Sequence, residues 1–264
     1  MLYLNEEFKR NWQGADPFKM LQAMEGNIYR QVQGRKTFQF TLNGRSYFAK
    51  LHSGVGWSEI IKNLLQLRLP ILGAENEWRA ITRLQELGIA TMKFVAYGKR
   101  GWNPATRQSF IITEELTDTI SLEDYCKGWR NNSPEYSEKK ILLERIANIS
   151  RELHSNGVCH RDFYLCHFLL NRNIDVGEDK LNLSLIDLHR VLLKQNLATR
   201  WKIKDIAGLY YSTMDIGLTQ RDLFRFIRIY DQVDLRQSLR TRQGFWSAVH
   251  KRAQFMYHKL SPAS

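Results

Sequence analysis

Val158-Cys159-His160-Arg161-Asp162-Phe163-Tyr164-Leu165-Cys166-His167-Phe168 follows directly on an Asn156-Gly157 pair. Before that pair Leu142, Ile146, Ile149 and Leu153 recur at helical spacing, which predicts a helix ending at the Asn-Gly break. The stretch therefore reads as a helix end and a turn that presents three polar side chains in succession. A given tripeptide arises by chance in a chain of this length roughly one time in thirty, so the triplet decides nothing without its surroundings.

Twenty-five residues further on, Leu183-Ser-Leu-Ile-Asp187-Leu188 reads as an apolar strand that ends by offering one carboxylate. Upstream, Thr37 to Lys50 alternates around Asn43-Gly44, the strongest short hairpin signal, and predicts two antiparallel strands ending near Lys50. A helix from Glu75 to Leu87 follows, marked by Trp78, Ile81 and Leu84 and closed by Gly88. Glu75 and Glu77 point about 200° apart on it, so only one can reach Lys50. Glu77 shares a face with Ala80, Ile81 and Leu84 and is the better candidate; Glu75 sits where an acidic residue favours any helix start.

Lysine, glutamate, His-Arg-Asp and aspartate, in that order, are the parts phosphoryl transfer needs. A lysine and metal ions neutralise the phosphates, and a carboxylate aligns the attacking hydroxyl. The expected fold is α+β, a bilobal protein-kinase-like fold with a small antiparallel-sheet N-lobe carrying one long helix and a mainly helical C-lobe. Strands at Lys93–Tyr97 and Ser109–Thr113 complete the first lobe, taken as 1–117, with a basic, apolar insertion at 54–72 that Pro70 should terminate. The second lobe is taken as 118–264, with a small hairpin between Leu181 and Leu193 and helices after about Thr199. Glu114 and Leu116 fall where a hinge would offer backbone groups to adenine, and Gly34 is the one glycine of a degenerate phosphate-covering loop.

Phe48-Ala-Lys50, Glu75-Asn-Glu77-Trp-Arg-Ala80, the Val158–Phe168 stretch and Leu185-Ile-Asp-Leu-His189-Arg190 together resemble, over nearly the whole chain, the lipopolysaccharide core heptose(I) kinases of Gram-negative bacteria, relatives of the Kdo kinases. The resemblance implies ATP- and Mg²⁺-dependent phosphorylation of the first heptose of the inner core at the cytoplasmic face of the inner membrane. It implies Asp162 as base within His160-Arg161-Asp162, Lys50 as phosphate ligand and Asp187 as metal ligand.

The chain departs from the protein-kinase pattern twice. His167 stands where protein kinases place an asparagine that holds a second Mg²⁺, and imidazole suits a hard cation poorly. It is a further metal candidate, set against a positioning role. Asp187-Leu188-His189 replaces Asp-Phe-Gly. Asp205 reads equally as a helix-start acid or as a brace for the catalytic loop. These departures keep open a second reading, a nucleotide-binding pseudokinase or adaptor for an acidic partner, and a third, a kinase for another sugar or protein acceptor.

Of 264 residues 43% are hydrophobic, enough for a sizeable core, and 39 Lys+Arg against 27 Asp+Glu give a net charge of +12. Residues 221 to 259 hold nine Lys/Arg against three Asp. Such charge calls for an anionic partner: the phosphate-rich inner-core acceptor, or a small acidic protein such as acyl carrier protein. No nucleic-acid motif accompanies it, so no nucleic-acid partner is expected. Cys126, Cys159 and Cys166 form no framework and suit a reducing compartment, and no signal core or membrane-spanning run is expected; placement is cytoplasmic and peripheral on the inner membrane.

Overall fold

Alternation along the first strands sets the architecture of the amino-terminal half. In a computed structural model that describes residues 1–32, 34–54, 56–65, 73–172 and 183–260, six antiparallel strands form one sheet in the order β1-β5-β6-β4-β3-β2. They are β1 (Leu2–Leu4), β2 (Asn27–Val32), β3 (Arg35–Leu42), β4 (Arg45–His52), β5 (Phe94–Arg100) and β6 (Gln108–Glu114). β3 and β4 meet at Asn43 and Gly44, both at positive φ (51° and 76°), as a two-residue hairpin loop requires.

Phe38 and Phe40 on β3, Tyr47, Ala49 and Leu51 on β4, and Phe110 and Ile112 on β6 point to one face. That face is covered by α1 (Glu6–Asn11) and α2 (Pro17–Ala23), which contribute Phe8, Trp12 and Leu21 to the same core. The expectation of one long helix here is thus extended by two short ones. The pleat that turns Ala49 and Leu51 into this core turns Lys50 to the opposite face. There α4 (Glu75–Glu86) packs, Trp78 stacking on Tyr97 with centroids 4.9 Å apart. Before it, α3 (Gly56–Leu65) occupies part of the expected 54–72 insertion; residues 55 and 66–72 of that insertion lie outside the described residues.

The chain forms two compact units: residues 1–83 with 92–116, and residues 84–91 with 117–264. A single cut after residue 117 is therefore too simple, because the end of α4 and the segment to Thr91 belong with the second unit. Within that unit Thr91 donates its hydroxyl to Leu185 O (2.6 Å), and Leu185 N donates to Ala90 O (2.9 Å).

The second unit carries α5 (Leu122–Cys126), α6 (Tyr136–Ser155), α7 (Thr199–Tyr211), α8 (Gln220–Asp231), α9 (Leu235–Thr241) and α10 (Gln243–Leu260). Ile206, Tyr230, Phe245 and Val249 pack α7, α8 and α10 together. An apolar cavity of about 390 Å³, walled by Leu142, Leu143, Leu209, Phe226, Trp246 and Val249 among others, lies in this unit. Two small sheets complete it, β7 (Thr119–Ser121) with β9 (Phe168–Asn171) and β10 (Leu183–Leu185), and β8 (Val158–Cys159) with β11 (Leu192–Leu193).

The hairpin expected between Leu181 and Leu193 is not formed among the described residues. β10 pairs with β9 and β11 with β8, because the turn at 186–191 is spent presenting side chains rather than folding its flanks together. Among the described residues no helix is long and apolar enough to cross a membrane.

Candidate active site

Two strand pairings hold the decisive stretch at both ends. Cys159 lies opposite Leu192, and Phe168 lies opposite Leu185, so loops 160–167 and 186–191 are fixed side by side. Ile186 N donates to His167 O (3.0 Å), and His160 Nε2 donates to Ile186 O (2.9 Å), tying the loops across their middle.

Asp205, on α7, braces the turn from below. Its carboxylate accepts from the amides of His160 (2.6 Å) and Arg161 (2.8 Å) and from His154 Nε2 (3.3 Å), while His154 Nδ1 meets the Tyr230 hydroxyl at 2.7 Å. Burial pushes this carboxyl up, but the His154 hydrogen bond, the charges of His154 and His160 and the Arg161 amide outweigh it and hold it below the ordinary value. Of the two sequence readings of Asp205, the geometry is that of the brace. It holds Arg161 at φ 72°, a costly conformation for a long side chain that persists because its surroundings fix it.

His160 and Arg161 were grouped with Asp162 by their triplet, and the structure gives them supporting places. His160 is 1% exposed with its Nε2 committed, and burial pushes its pKa down, so it is an internal tie rather than a group that meets a substrate. Arg161 lies over the Trp201 ring at 5.6 Å. Asp162 is partly exposed, and both its oxygens accept from Arg190 Nη1, at 2.8 and 3.0 Å. Arg190 was legible only as part of a motif; no sequence signal pairs it with a residue 28 positions away.

Asp187 adopts a left-handed conformation (φ 61°, ψ 50°), tolerated by aspartate, which turns its side chain out of the strand line. Its Oδ1 accepts from His189 Nδ1 (2.5 Å), and its Oδ2 lies 3.6 Å from His167 Nε2. His167 Nδ1 donates to the backbone carbonyl of Asp162 (2.6 Å), and its ring stacks on His160. The structure thus brings Asp162, Asp187, His160 and His167 together in the second unit.

In the first unit Lys50 Nζ lies 2.5 Å from Glu77 Oε1, and Glu77 is 1% exposed. Glu75 instead pairs with Arg79 (2.8 Å) and Lys99. Gly34 (φ 76°) sits in the β2–β3 turn and accepts at its carbonyl from Ser53 N (2.9 Å). At the end of β6 the Glu114 amide donates to Lys93 O (2.9 Å) and its side chain pairs with Lys93 Nζ, so the group it can offer a base is its carbonyl. Leu116 ends the first unit.

Comparison with known proteins matches this arrangement over its length. The family model described as the lipopolysaccharide kinase (Kdo/WaaP) family covers residues 19–230. The lipopolysaccharide core heptose(I) kinase WaaP of Escherichia coli is 47% identical over 96% of this chain and 96% of its own. The enzyme of that name from Pseudomonas aeruginosa is 47% identical over 98% of this chain and 96% of its own. A solved structure of WaaP in complex with acyl carrier protein superposes with a TM-score of 0.86 at 43% identity, covering 97% of this chain and 99% of that one. With a kinase-like α+β fold, a His-Arg-Asp turn and this likeness along nearly all its length, the chain belongs to the lipopolysaccharide kinase (Kdo/WaaP) family.

Proposed function

We propose that this protein transfers the γ-phosphoryl group of ATP to a hydroxyl of the first heptose of the lipopolysaccharide inner core. The full-length likeness to two heptose(I) kinases carries the reading, and the braced loop at Asp162 supplies its chemistry. Asp162 aligns the acceptor hydroxyl and takes its proton. Arg190 donates to both its oxygens and so orients the carboxylate. Lys50, steadied by Glu77, takes the α- and β-phosphates; the carbonyl of Glu114 and the backbone of Leu116 serve the adenine, and Gly34 the phosphate cover.

A divalent cation such as Mg²⁺ fits the second unit. Among the described residues no three His, Cys, Asp or Glu side chains form a complete metal site, but Asp187 Oδ2 and His167 Nε2 make a two-donor pair. Two protein donors suit an ion brought in by nucleotide phosphates. These two side chains would hold such an ion, whose chemistry would be to offset phosphate charge.

The protein acts at a membrane surface. Trp57, Ile61 and Leu65 of α3 recur every four residues and are 55%, 52% and 81% exposed, with Lys62 among them. The net charge of +12 favours both the phosphorylated acceptor and an acidic partner, and we propose acyl carrier protein as that partner. The apolar cavity of the second unit is a place in the chain where an acyl group carried by such a partner fits.

The test is transfer of labelled γ-phosphate to lipopolysaccharide lacking core phosphate, with a heptose-free acceptor as control. Wild type labels only the heptose-containing acceptor, and Asp162→Asn lowers kcat by a factor on the order of 10² to 10⁴ with nucleotide affinity kept. Nucleotide binding without transfer to any core acceptor supports the pseudokinase reading instead.

A further inference from the structure

The opening of α7 runs against the electrostatics of a helix. A helix start favours acidic side chains, yet α7 begins with Arg200, Lys202 and Lys204, has no acid in its first turn and takes no side-chain cap from Ala198. Lys204 is half-buried and, among the described residues, forms no ion pair and no hydrogen bond. Burial, then the charges of Arg161 and Arg190, hold its ammonium below the ordinary lysine value; the opposing charges of Asp162 and Asp205 do not make up the difference.

Two arginines share this corner. The Arg161 guanidinium lies over the Trp201 ring at 5.6 Å, its Nε buried without a hydrogen-bond partner among the described residues. Arg200 lies over the same ring at 5.3 Å, and Trp201 and Lys204, three residues apart, share one face of α7. The nearby acids are already engaged: Asp205 receives the amides of His160 and Arg161 together with His154, and Asp162 receives Arg190. Lys204 and the Arg161 guanidinium are thus left without an anionic partner among the described residues, within electrostatic reach of Asp162. Like charges drawn together and partly removed from water are unfavourable, and an anion placed among them reverses that.

We propose that Lys204, with Arg161 and Arg200, forms a subsite for an oxyanion of the acceptor beside the accepting hydroxyl, and so selects an acidic sugar chain and sets it at Asp162. The inference rests on the heptose kinase reading and deepens it by naming what the acceptor must carry. These cations belong to the turn and helix that carry and brace Asp162, whereas Lys50 and the Asp187–His167 pair answer the charge of the nucleotide. The anion is therefore assigned to the acceptor. Its source is a sugar carboxylate or a sugar phosphate, since ammonium and guanidinium groups take either.

The test is steady-state transfer from ATP to deacylated inner-core oligosaccharide lacking core phosphate, used native, with its carboxyl groups reduced to alcohols, or stripped of its remaining phosphates. Wild type, Lys204→Gln and Lys204→Arg are compared, with calorimetric binding of the native oligosaccharide and thermal midpoints measured on each. Lys204→Gln is expected to raise the KM for the native acceptor about tenfold, the loss of one charge-assisted contact, with the KM for ATP unchanged. It should change little on the treated acceptor that has lost the recognised anion, which identifies that anion as carboxylate or phosphate. Lys204→Arg should keep most of the wild-type KM, and the thermal midpoint of Lys204→Gln should stay level or rise, because an unpaired, half-buried charge is removed. Equal losses on the native and both treated acceptors, or a rise confined to the KM for ATP, overturn the subsite. Wild type that phosphorylates all three acceptors at one KM overturns the subsite and leaves the kinase reading standing. Wild type that binds the native oligosaccharide through Lys204 but transfers nothing supports the subsite and removes the kinase reading.

Discussion

Lys50 Nζ lies 2.5 Å from Oε1 of Glu77, while Oε2 of the same carboxylate is buried without a hydrogen-bond partner among the described residues. One half of this carboxylate is therefore already under-satisfied, and the lysine is what makes its burial tolerable. Lys50→Met is expected to cost about 3 to 5 kcal/mol, since it strands a charge inside the first unit. Glu77→Gln removes the charge but keeps the shape, and adding it to Lys50→Met should restore part of the loss. Urea unfolding of the two single variants and the double variant reads this directly. Additive losses in the double variant would show that the two side chains do not stabilise each other.

Gly157 is where the long helix α6 gives way to the His-Arg-Asp turn, and a side chain there meets both a left-handed backbone and a close backbone oxygen. Its φ is 75°, and a Cβ there would lie 1.7 Å from the carbonyl oxygen of Lys194, a backbone atom that cannot rotate away. That carbonyl belongs to the residue whose amide donates to Gly157 O (2.9 Å), just beyond the β8–β11 pair. Gly157→Ala should lower stability by about 2 kcal/mol or more, through the left-handed backbone and the clash together. Gly128→Ala, where a Cβ meets nothing within 4 Å, is the matched control and should be close to neutral. Equal thermal midpoints for the two variants would refute the steric argument.

Much of this was legible because local chemistry and final geometry coincide. Asn43-Gly44 made its hairpin, and the 3.6-residue period set Glu77 rather than Glu75 toward Lys50. The first 36 residues were unreadable by period, since α1 and α2 run only six and seven residues and every residue of β2 is exposed. Their capping chemistry was there to find: the Asn5 side chain accepts from Phe8 N, and Asp16 precedes Pro17 at the first helical position. The apolar alternation around Asp187 was real, but strand partners at 158–159 and 168–171 are set by tertiary pairing and leave no local mark. For the same reason Arg190 as the partner of Asp162 emerged only from the folded chain.

Asp205 ties stability to pH. Its carboxyl is held below the ordinary value of 3.8, so in the folded protein it binds a proton less readily than in the unfolded chain. Its contribution is complete above about pH 3.8 and is lost as pH falls through the lower folded value. Asp205→Asn places an NH₂ group or a neutral acceptor where two amides and an imidazole donate, and should cost about 2 to 4 kcal/mol at neutral pH. The gap between wild type and variant should narrow as pH falls below 4. A gap that widens on acidification would contradict the assigned direction.

The exposed stripe on α3 separates a membrane-seated helix from a solvated one. Trp57, Ile61 and Leu65 face outward at four-residue spacing, whereas Ile60 beside them is buried, so the helix has one face spent on the fold and another left to the surroundings. Replacing the three outward residues with serine removes apolar area without touching the core, so the fold should keep its thermal midpoint. Each fully buried apolar side chain contributes about 1.5 to 3 kcal/mol on leaving water, and a half-inserted stripe of three should contribute roughly that much in sum. The triple variant should therefore bind vesicles containing anionic lipid about tenfold or more less tightly, at unchanged salt dependence, because Lys62 and the remaining basic surface are intact. Ile60→Ser is the opposite control: it should weaken the fold and leave vesicle affinity of the folded fraction alone. Unchanged vesicle affinity in the triple variant would reassign the stripe to a role other than lipid contact.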